Sequence, residues 1–165
     1  MHAPSLRPAT QDDLATINSI YNYYVLISTA TYQTVPETEE ARLAWFRDRD
    51  PVRHPVKVVE LAGQIVAWGS LSPFGKREAL AGTVENSIYI HPDFQRRGLG
   101  SLLLQDQILH ATAAGHHTIV AAISGEQSGS LALHAVHGFT ETGRLREVGW
   151  KFDQWLELVY LQRML

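Results

Sequence analysis

Apolar residues recur along this chain at helical spacing in some stretches and at alternating spacing in others, and the changes of period mark its elements. Thr10-Gln11-Asp12-Asp13 reads as a helix start, with Thr10 as the cap, acidic residues in the first turn, and Leu14, Ile17, Ile20, Tyr21 and Tyr24 following on one face. A second helix is expected from Thr38, where Glu39 and Glu40 suit the positive end and Leu43 and Phe46 supply the buried side. Residues 56–61 and 64–72 read as paired strands around an Ala62-Gly63 turn, and 82–90 as the next strand. Residues 99–114 carry Leu102, Leu103, Ile108 and Leu109 as a long helix closed by Gly115. Beyond it come a strand over 117–123, a helix over 128–136 ended by Gly138, and strands over 139–148 and 155–162.

Helices interspersed with mostly antiparallel strand pairs predict an α/β (α+β) arrangement: a mixed sheet with helices on both faces. At 165 residues and 45% hydrophobic, the chain can bury one substantial core, and no Pro/Gly/Ser-rich linker divides it, so residues 1–165 read as one domain. The net charge of −3 comes with scattered lysines and arginines, which argues against nucleic acid or an anionic membrane as a partner. No apolar run approaches the ~18 residues of a membrane span, and Met1-His2-Ala3-Pro4-Ser5 carries no apolar leader, so a cytoplasmic protein is expected. With no cysteine, disulfides and thiolate nucleophiles are excluded.

Gln95-Arg96-Arg97-Gly98-Leu99-Gly100 follows the β-rich run Ser87-Ile88-Tyr89-Ile90 and leads into the long helix. Glycines allow consecutive N–H groups to converge, and the positive helix end adds attraction for a phosphate. A plain strand-to-helix turn with two solvated arginines fits the same residues. Wider context favours the anion site, because the spacing resembles the (Gln/Arg)-x-x-Gly-x-(Gly/Ala) signature of the GNAT family of acetyl-CoA-dependent N-acetyltransferases. Ser28-Thr29-Ala30-Thr31-Tyr32, Trp45-Phe46, Ser72-Pro73-Phe74, Thr83-Val84-Glu85-Asn86-Ser87-Ile88-Tyr89, Leu133-His134, His137-Gly138-Phe139 and Gly143-Arg144-Leu145 stand in the order of its phosphinothricin (methionine sulfoximine) acetyltransferase branch. The likeness runs over residues 6–163.

The resemblance implies a central sheet splayed at the acetyl-CoA site. It places the pyrophosphate on Gln95, Arg96, Arg97, Gly98, Leu99, Gly100 and Ser101, and the pantetheine arm along the main chain of Ile88, Tyr89 and Ile90. Taken alone, Ile88 and Ile90 are core residues of a strand face. Ser130 matches a serine near the cofactor, whereas Gln127 stands where many relatives have a shorter asparagine against the pantetheine amide. Tyr32 and Phe74 match aromatics of the substrate pocket and fit ordinary packing equally well.

Acetyl transfer to an amine needs a neutral nitrogen. Deprotonating a lysine-like amine at pH 7 costs roughly 4 kcal/mol, against about 1 for an α-amino group. Glu85, matching the glutamate of the family's Thr-Val-Glu motif, is the candidate base and a substrate contact; a solvated carboxylate at a strand end is the plain alternative. His134 fits a proton donor to the departing thiolate, a relay with Glu85, or a structural helix histidine. His134 and His137 share a helix face but lack a third ligand nearby, so no metal is expected, and His116-His117 reads as capping the turn after Gly115.

Gly75 and Ala81 occupy positions where amino-acid-acetylating relatives carry carboxylate-binding arginines, which puts phosphinothricin, methionine sulfoximine and methionine sulfone in question as acceptors. The function expected is direct transfer of acetyl from acetyl-CoA to the primary amine of a small molecule. A non-catalytic acyl-CoA-binding module is the competing class. An oxidoreductase reading fails for want of the third glycine of Gly-x-Gly-x-x-Gly. The resemblance also implies a homodimer, for which Trp150 and Trp155 of the final hairpin offer aromatic surface.

Overall fold

Alternation in the middle of the chain builds a sheet, and the helical stretches close over its two faces. The computed structural model describes residues 3–165; Met1 and His2, the first residues of the expected domain, lie outside that range. Among the described residues the order is β1 (Ser5–Pro8), α1 (Leu14–Ile27), α2 (Glu39–Arg47), β2 (Val56–Leu61), β3 (Gln64–Pro73), β4 (Thr83–Ile90), α3 (Leu99–Ala113), β5 (Thr118–Ser124), α4 (Ser128–Val136), β6 (Thr140–Lys151) and β7 (Gln154–Met164). The strands form one mixed sheet in the order β1-β2-β3-β4-β5-β7-β6. Every pairing is antiparallel except β4 with β5.

That parallel pairing is short. It joins Thr83, Val84 and Glu85 to Thr118, Ile119 and Val120 and then stops, although β4 runs on to Ile90 and β5 to Ser124. The two strands at the centre of the sheet therefore separate just past Glu85. Among the described residues, one edge of residues 86–90 carries no strand partner, and backbone groups on such an edge need another acceptor or donor.

Alternation along β4 assigns its side chains to two cores. Val84 packs with Leu71, Leu104, Ile119, Ala121 and Val159 on the α3/α4 face. Tyr89 lies on the opposite face with Trp68, Tyr21 and Tyr24 from α1 and β3, its ring stacked 4.9 Å from that of Trp68. Thr83, Glu85 and Ser87 share the parity of Tyr89 and point to this α1/α2 side.

Several boundaries differ from the sequence reading. Residues 11–13 form a 3-10 turn, with Asp13 closing a capping box onto Thr10, and the α-helix proper starts at Leu14. Strand β1 was not expected, because Ser-Leu-Arg-Pro has a single large apolar residue and shows no alternation. Pairing with β2 supplies its hydrogen bonds, and the Arg7 guanidinium fastens it by reaching Asp13 at 2.7 Å and Glu60 at 3.2 Å. The last hairpin is longer than expected because Phe152 (φ 53°) and Asp153 (φ 57°) form a two-residue turn with both φ positive, the geometry that matches strand twist. His116 does not simply cap the turn after Gly115: it is 5% exposed, and its Nε2 lies 3.0 Å from the Arg53 carbonyl, tying that turn to the loop before β2.

Candidate active site

The loop between β4 and α3 has the form an anion site needs. Arg96 (φ 61°) and Gly98 (φ 79°) turn the backbone through the left-handed region, and Gly98 sits at the N-cap of α3. The first backbone hydrogen bond of that helix runs from the Leu102 N–H to the Gly98 carbonyl at 3.0 Å. The N–H groups of Arg96 through Ser101 donate to no described residue and stand at the positive end of a 15-residue helix.

Surrounding contacts fix the loop's place. Gln95 Nε2 donates to the Tyr24 hydroxyl at 2.8 Å, that hydroxyl donates to the Ile90 carbonyl, and Arg97 holds the Asp93 carbonyl at 3.0 Å. A Cβ on Gly100 would meet Leu133 Cδ2 at 3.0 Å, so this position permits the close approach of α4. Ser101 Oγ, expected at the pyrophosphate, lies 2.7 Å from His137 Nε2. These residues fit a pyrophosphate: a run of N–H groups with no acceptor among the described residues, carrying Arg96 and Arg97, just past the end of β4 that lies beyond the β5 pairing.

Glu85 stands at the mouth of that gap, as the last residue of β4 paired to β5 and directly opposite Ser72 on β3. Its carboxylate makes no hydrogen bond or ion pair with any described residue, and burial pushes its pKa above the ordinary carboxylate value. Thr83 and Val120 flank it on the same face and line a cleft of about 350 Å³ with Phe74, Tyr160 and Gln162. Tyr32 approaches from the loop after α1: its hydroxyl donates to the Glu157 carbonyl at 2.6 Å, and its ring lies so near Gly149 that a Cβ there would meet it at 2.8 Å.

The sheet separates the two candidate catalytic residues. His134 is 4% exposed on α4 and contacts Asn86, whose side chain leaves β4 on the face opposite that of Glu85. A direct Glu85–His134 contact is therefore absent. Burial lowers the pKa of His134 from its ordinary value, which favours the neutral imidazole. Gln127, expected at the pantetheine arm, turns instead to the loop after α1, donating to Thr29 Oγ1 at 2.9 Å and Ser28 Oγ at 3.4 Å. Ser130 presents its carbonyl to His134 Nδ1 at 2.8 Å. Among the described residues no three histidines, cysteines or carboxylates cluster as metal ligands, and no helix is long and apolar enough to cross a membrane.

Among the buried polar residues that escaped the sequence reading are Lys151, Arg42 and Gln107. Lys151, 4% exposed, donates to the carbonyls of Ser28 at 2.7 Å and Thr31 at 2.8 Å. Arg42, also 4% exposed, donates to Asn18 Oδ1 at 3.1 Å and lies over the rings of Tyr21 and Trp45. Gln107, 5% exposed, shares the apolar stripe of α3 with Leu103, Leu104 and Ala111, and an amide at that spacing was the available signal.

Comparison with known proteins shows the family. The model of the acetyltransferase (GNAT) family matches residues 17–139. The L-amino acid N-acyltransferase MnaT of Escherichia coli (strain K12) is 37% identical over 98% of this chain and 94% of its own length. The L-methionine sulfoximine/L-methionine sulfone acetyltransferase of Salmonella typhimurium is 36% identical with the same coverage. The crystal structure of a phosphinothricin acetyltransferase from Sinorhizobium meliloti in complex with acetyl-CoA superposes with a TM-score of 0.95 at 32% identity, covering 98% of this chain and 88% of that one.

Proposed function

Since the chain belongs to the GNAT family of acetyltransferases, and is an acetyl-CoA-dependent N-acetyltransferase, we propose that Glu85 is its general base and that the cleft beside Glu85 receives a small primary amine. The observation that carries this reading is the position of Glu85: half-buried, without a hydrogen-bond or ion-pair partner among the described residues, and last in the β4–β5 ladder before the strands part. A carboxylate with a raised pKa is better matched to accepting a proton near neutrality than a solvated one.

The N–H groups of residues 96–101, with Arg96 and Arg97, bind the pyrophosphate, and the unpaired edge of Ile88, Tyr89 and Ile90 guides the pantetheine arm. The amine enters from the α1/α2 side, between Tyr32 and Phe74. In the transfer a nitrogen–carbon bond forms to the acetyl carbon and the carbon–sulfur bond breaks. Glu85, directly or through water, takes the proton that the nitrogen must lose, and the departing thiolate takes one from solvent. With no cysteine in the chain, transfer within a ternary complex is the direct route.

The relatives named for amino-acid acceptors make amino-acid-like amines the first class to test. Gly75 and Ala81 leave the β3–β4 loop without the arginines expected for a carboxylate, so weaker use of such acceptors follows. Leu145, Val148, Trp150, Phe152 and Trp155 are all at least 45% exposed on the β6–β7 hairpin, a concentration of apolar surface that supports a homodimer built on this hairpin. Use of acetyl-CoA supports a cytoplasmic location. Thiol release from acetyl-CoA, measured against amino acids, their amides, polyamines, aminoglycosides and peptide N-termini, tests the reading. Cofactor binding without thiol release for any amine would replace it with a binding module.

A further inference from the structure

Gln107, Asn86 and His134 form a continuous buried chain from two strand carbonyls to a helix carbonyl. Gln107 Nε2 donates to the carbonyls of Ser87 at 3.0 Å and Ser70 at 3.3 Å. Its Oε1 accepts from Asn86 Nδ2 at 3.2 Å, and the same Nδ2 lies 3.0 Å from His134 Nε2. At the far end His134 Nδ1 lies 2.8 Å from the Ser130 carbonyl. Gly69 makes the first link possible, because a Cβ there would meet Gln107 Nε2 at 2.7 Å.

Only one arrangement of protons satisfies all of these contacts, and it leaves Asn86 Oδ1 as the one buried atom of the three side chains without a partner among the described residues. Carbonyls carry no hydrogen, so Ser70 and Ser87 require the amide NH2 of Gln107 and turn its oxygen toward Asn86. That oxygen in turn requires the NH2 of Asn86, whose second hydrogen is directed at His134 Nε2. Nε2 must therefore present a lone pair, and the Ser130 carbonyl requires the proton on Nδ1. Reversing Asn86 would set its oxygen against Gln107 Oε1; reversing Gln107 as well would set that oxygen against two backbone carbonyls. Main-chain groups that cannot be reversed thus dictate the state of three side chains.

We infer that Gln107, acting through Asn86, is a positioning residue that holds His134 as the neutral Nδ1–H tautomer, so that His134 fastens Ser130 and the start of α4 instead of delivering a proton to the departing sulfur. The inference rests on the reading of this cleft as the acetyl-transfer site. Its geometry is consistent at both ends. Asn86 is the first residue of β4 beyond the β5 pairing, and Ser130 lies in the first turn of α4, so the chain spans the gap that the pantetheine arm enters. The His134 ring is closed on another side by Phe139, edge to face at 5.0 Å. No carboxylate hydrogen-bonds to the imidazole among the described residues, and the titratable neighbour, His137, opposes its protonation.

Nitrogen-15 NMR of the histidine rings in the intact protein, with thiol release read separately on the same samples, tests this. His134 is expected to show a protonated Nδ1 and an unprotonated Nε2 throughout the active pH range. Replacing the donor by an acceptor, Asn86→Asp, should move the proton to Nε2 or produce imidazolium. Gln107→Leu frees Asn86 to turn its oxygen to Nε2 and should leave a mixture of the Nδ1–H tautomer and imidazolium with turnover reduced, and circular dichroism reports whether it folds. His134→Gln should keep turnover within about tenfold of the wild type and leave the pH profile in place, whereas loss of a true proton donor costs roughly 10²- to 10⁴-fold. A wild-type Nε2–H signal, an unchanged tautomer in Asn86→Asp, or loss of the alkaline limb in His134→Gln would overturn the inference. Failure of acetyl transfer with the expected tautomer would instead count against the reading of the cleft.

Discussion

Lys151 Nζ donates to the Ser28 carbonyl at 2.7 Å, joining the tip of the β6–β7 hairpin to the C-terminal end of α1. The same ammonium reaches the Thr31 carbonyl at 2.8 Å, next to Tyr32. A cation at a helix C-terminus is favoured by the helix dipole, and here it also replaces water for two carbonyls. The hairpin thus holds the loop that carries Tyr32, which is proposed to border the acceptor cleft.

Lys151→Met should keep the aliphatic packing and strip those carbonyls of their donor. A destabilisation of about 1–3 kcal/mol is expected from leaving buried acceptors unpaired. Denaturant melts measure it. Steady-state kinetics should show a raised KM for the amine, with acetyl-CoA affinity nearly unchanged by calorimetry.

Gly98→Val addresses the loop. A Cβ there meets nothing within 4 Å, so the folded chain has room for it, but φ is +79° and a β-branched residue at that angle is strained by roughly 1–3 kcal/mol. The protein should fold with lowered stability and lose acetyl-CoA binding, because the side chain occupies the space above the free N–H groups. Calorimetric titration showing wild-type affinity would reduce the loop to a connector.

Glu85→Gln should leave cofactor affinity intact, lower turnover, and remove the acidic limb of the rate profile, which for the wild type lies above the ordinary carboxylate range. Stability gives an independent check. The folded pKa is raised, so neutral Glu85 favours the fold below the unfolded pKa, and that contribution is lost as pH rises through the folded value. Glu85→Gln should therefore gain stability over the wild type at pH 7 and little at pH 4, readable from thermal melts at the two pH values.

Methionine sulfone and phosphinothricin should be poor acceptors beside amines without a carboxylate. Gly75→Arg with Ala81→Arg should improve kcat/KM for them by roughly 10- to 150-fold, corresponding to about 1.5–3 kcal/mol for a hydrogen bond to a charged group. The Cβ added at Gly75 meets only Leu80 Cδ1, the end of a flexible side chain, so the substitution is sterically cheap. Efficient wild-type use of these acceptors would direct attention to Lys76 and Arg77, tested as alanine variants.

For the hairpin, Trp150 and Trp155 pair edge to face at 5.1 Å while remaining more than half exposed. Trp155→Glu should shift the protein to a monomer in analytical ultracentrifugation. A wild-type monomer at micromolar concentration would remove the proposed interface.

Sequence by itself determined the helices, because their apolar period and caps are local: Thr38 caps α2 through Ala41 N at 3.1 Å, and Gly115 and Gly138 close their helices at positive φ. It also singled out the glycine turn before α3 and Glu85 as candidates, since a glycine turn before a helix and a motif of fixed spacing survive in one dimension. Strand β1 depended on partners 49 to 55 residues away, so no local pattern announced it. The separation of β4 from β5 was implied only by resemblance, because divergence of strands depends on where a ladder ends. Whether Glu85 and His134 could meet was decided by the sheet: Asn86, adjacent to Glu85, points to the other face and takes His134 with it. The proton on His134 was decided farther away still, by the carbonyls of Ser70 and Ser87 acting through Gln107. Hydrogen-bond direction depends on which groups come within about 3 Å of each other. Chain order does not carry that information; packing creates it.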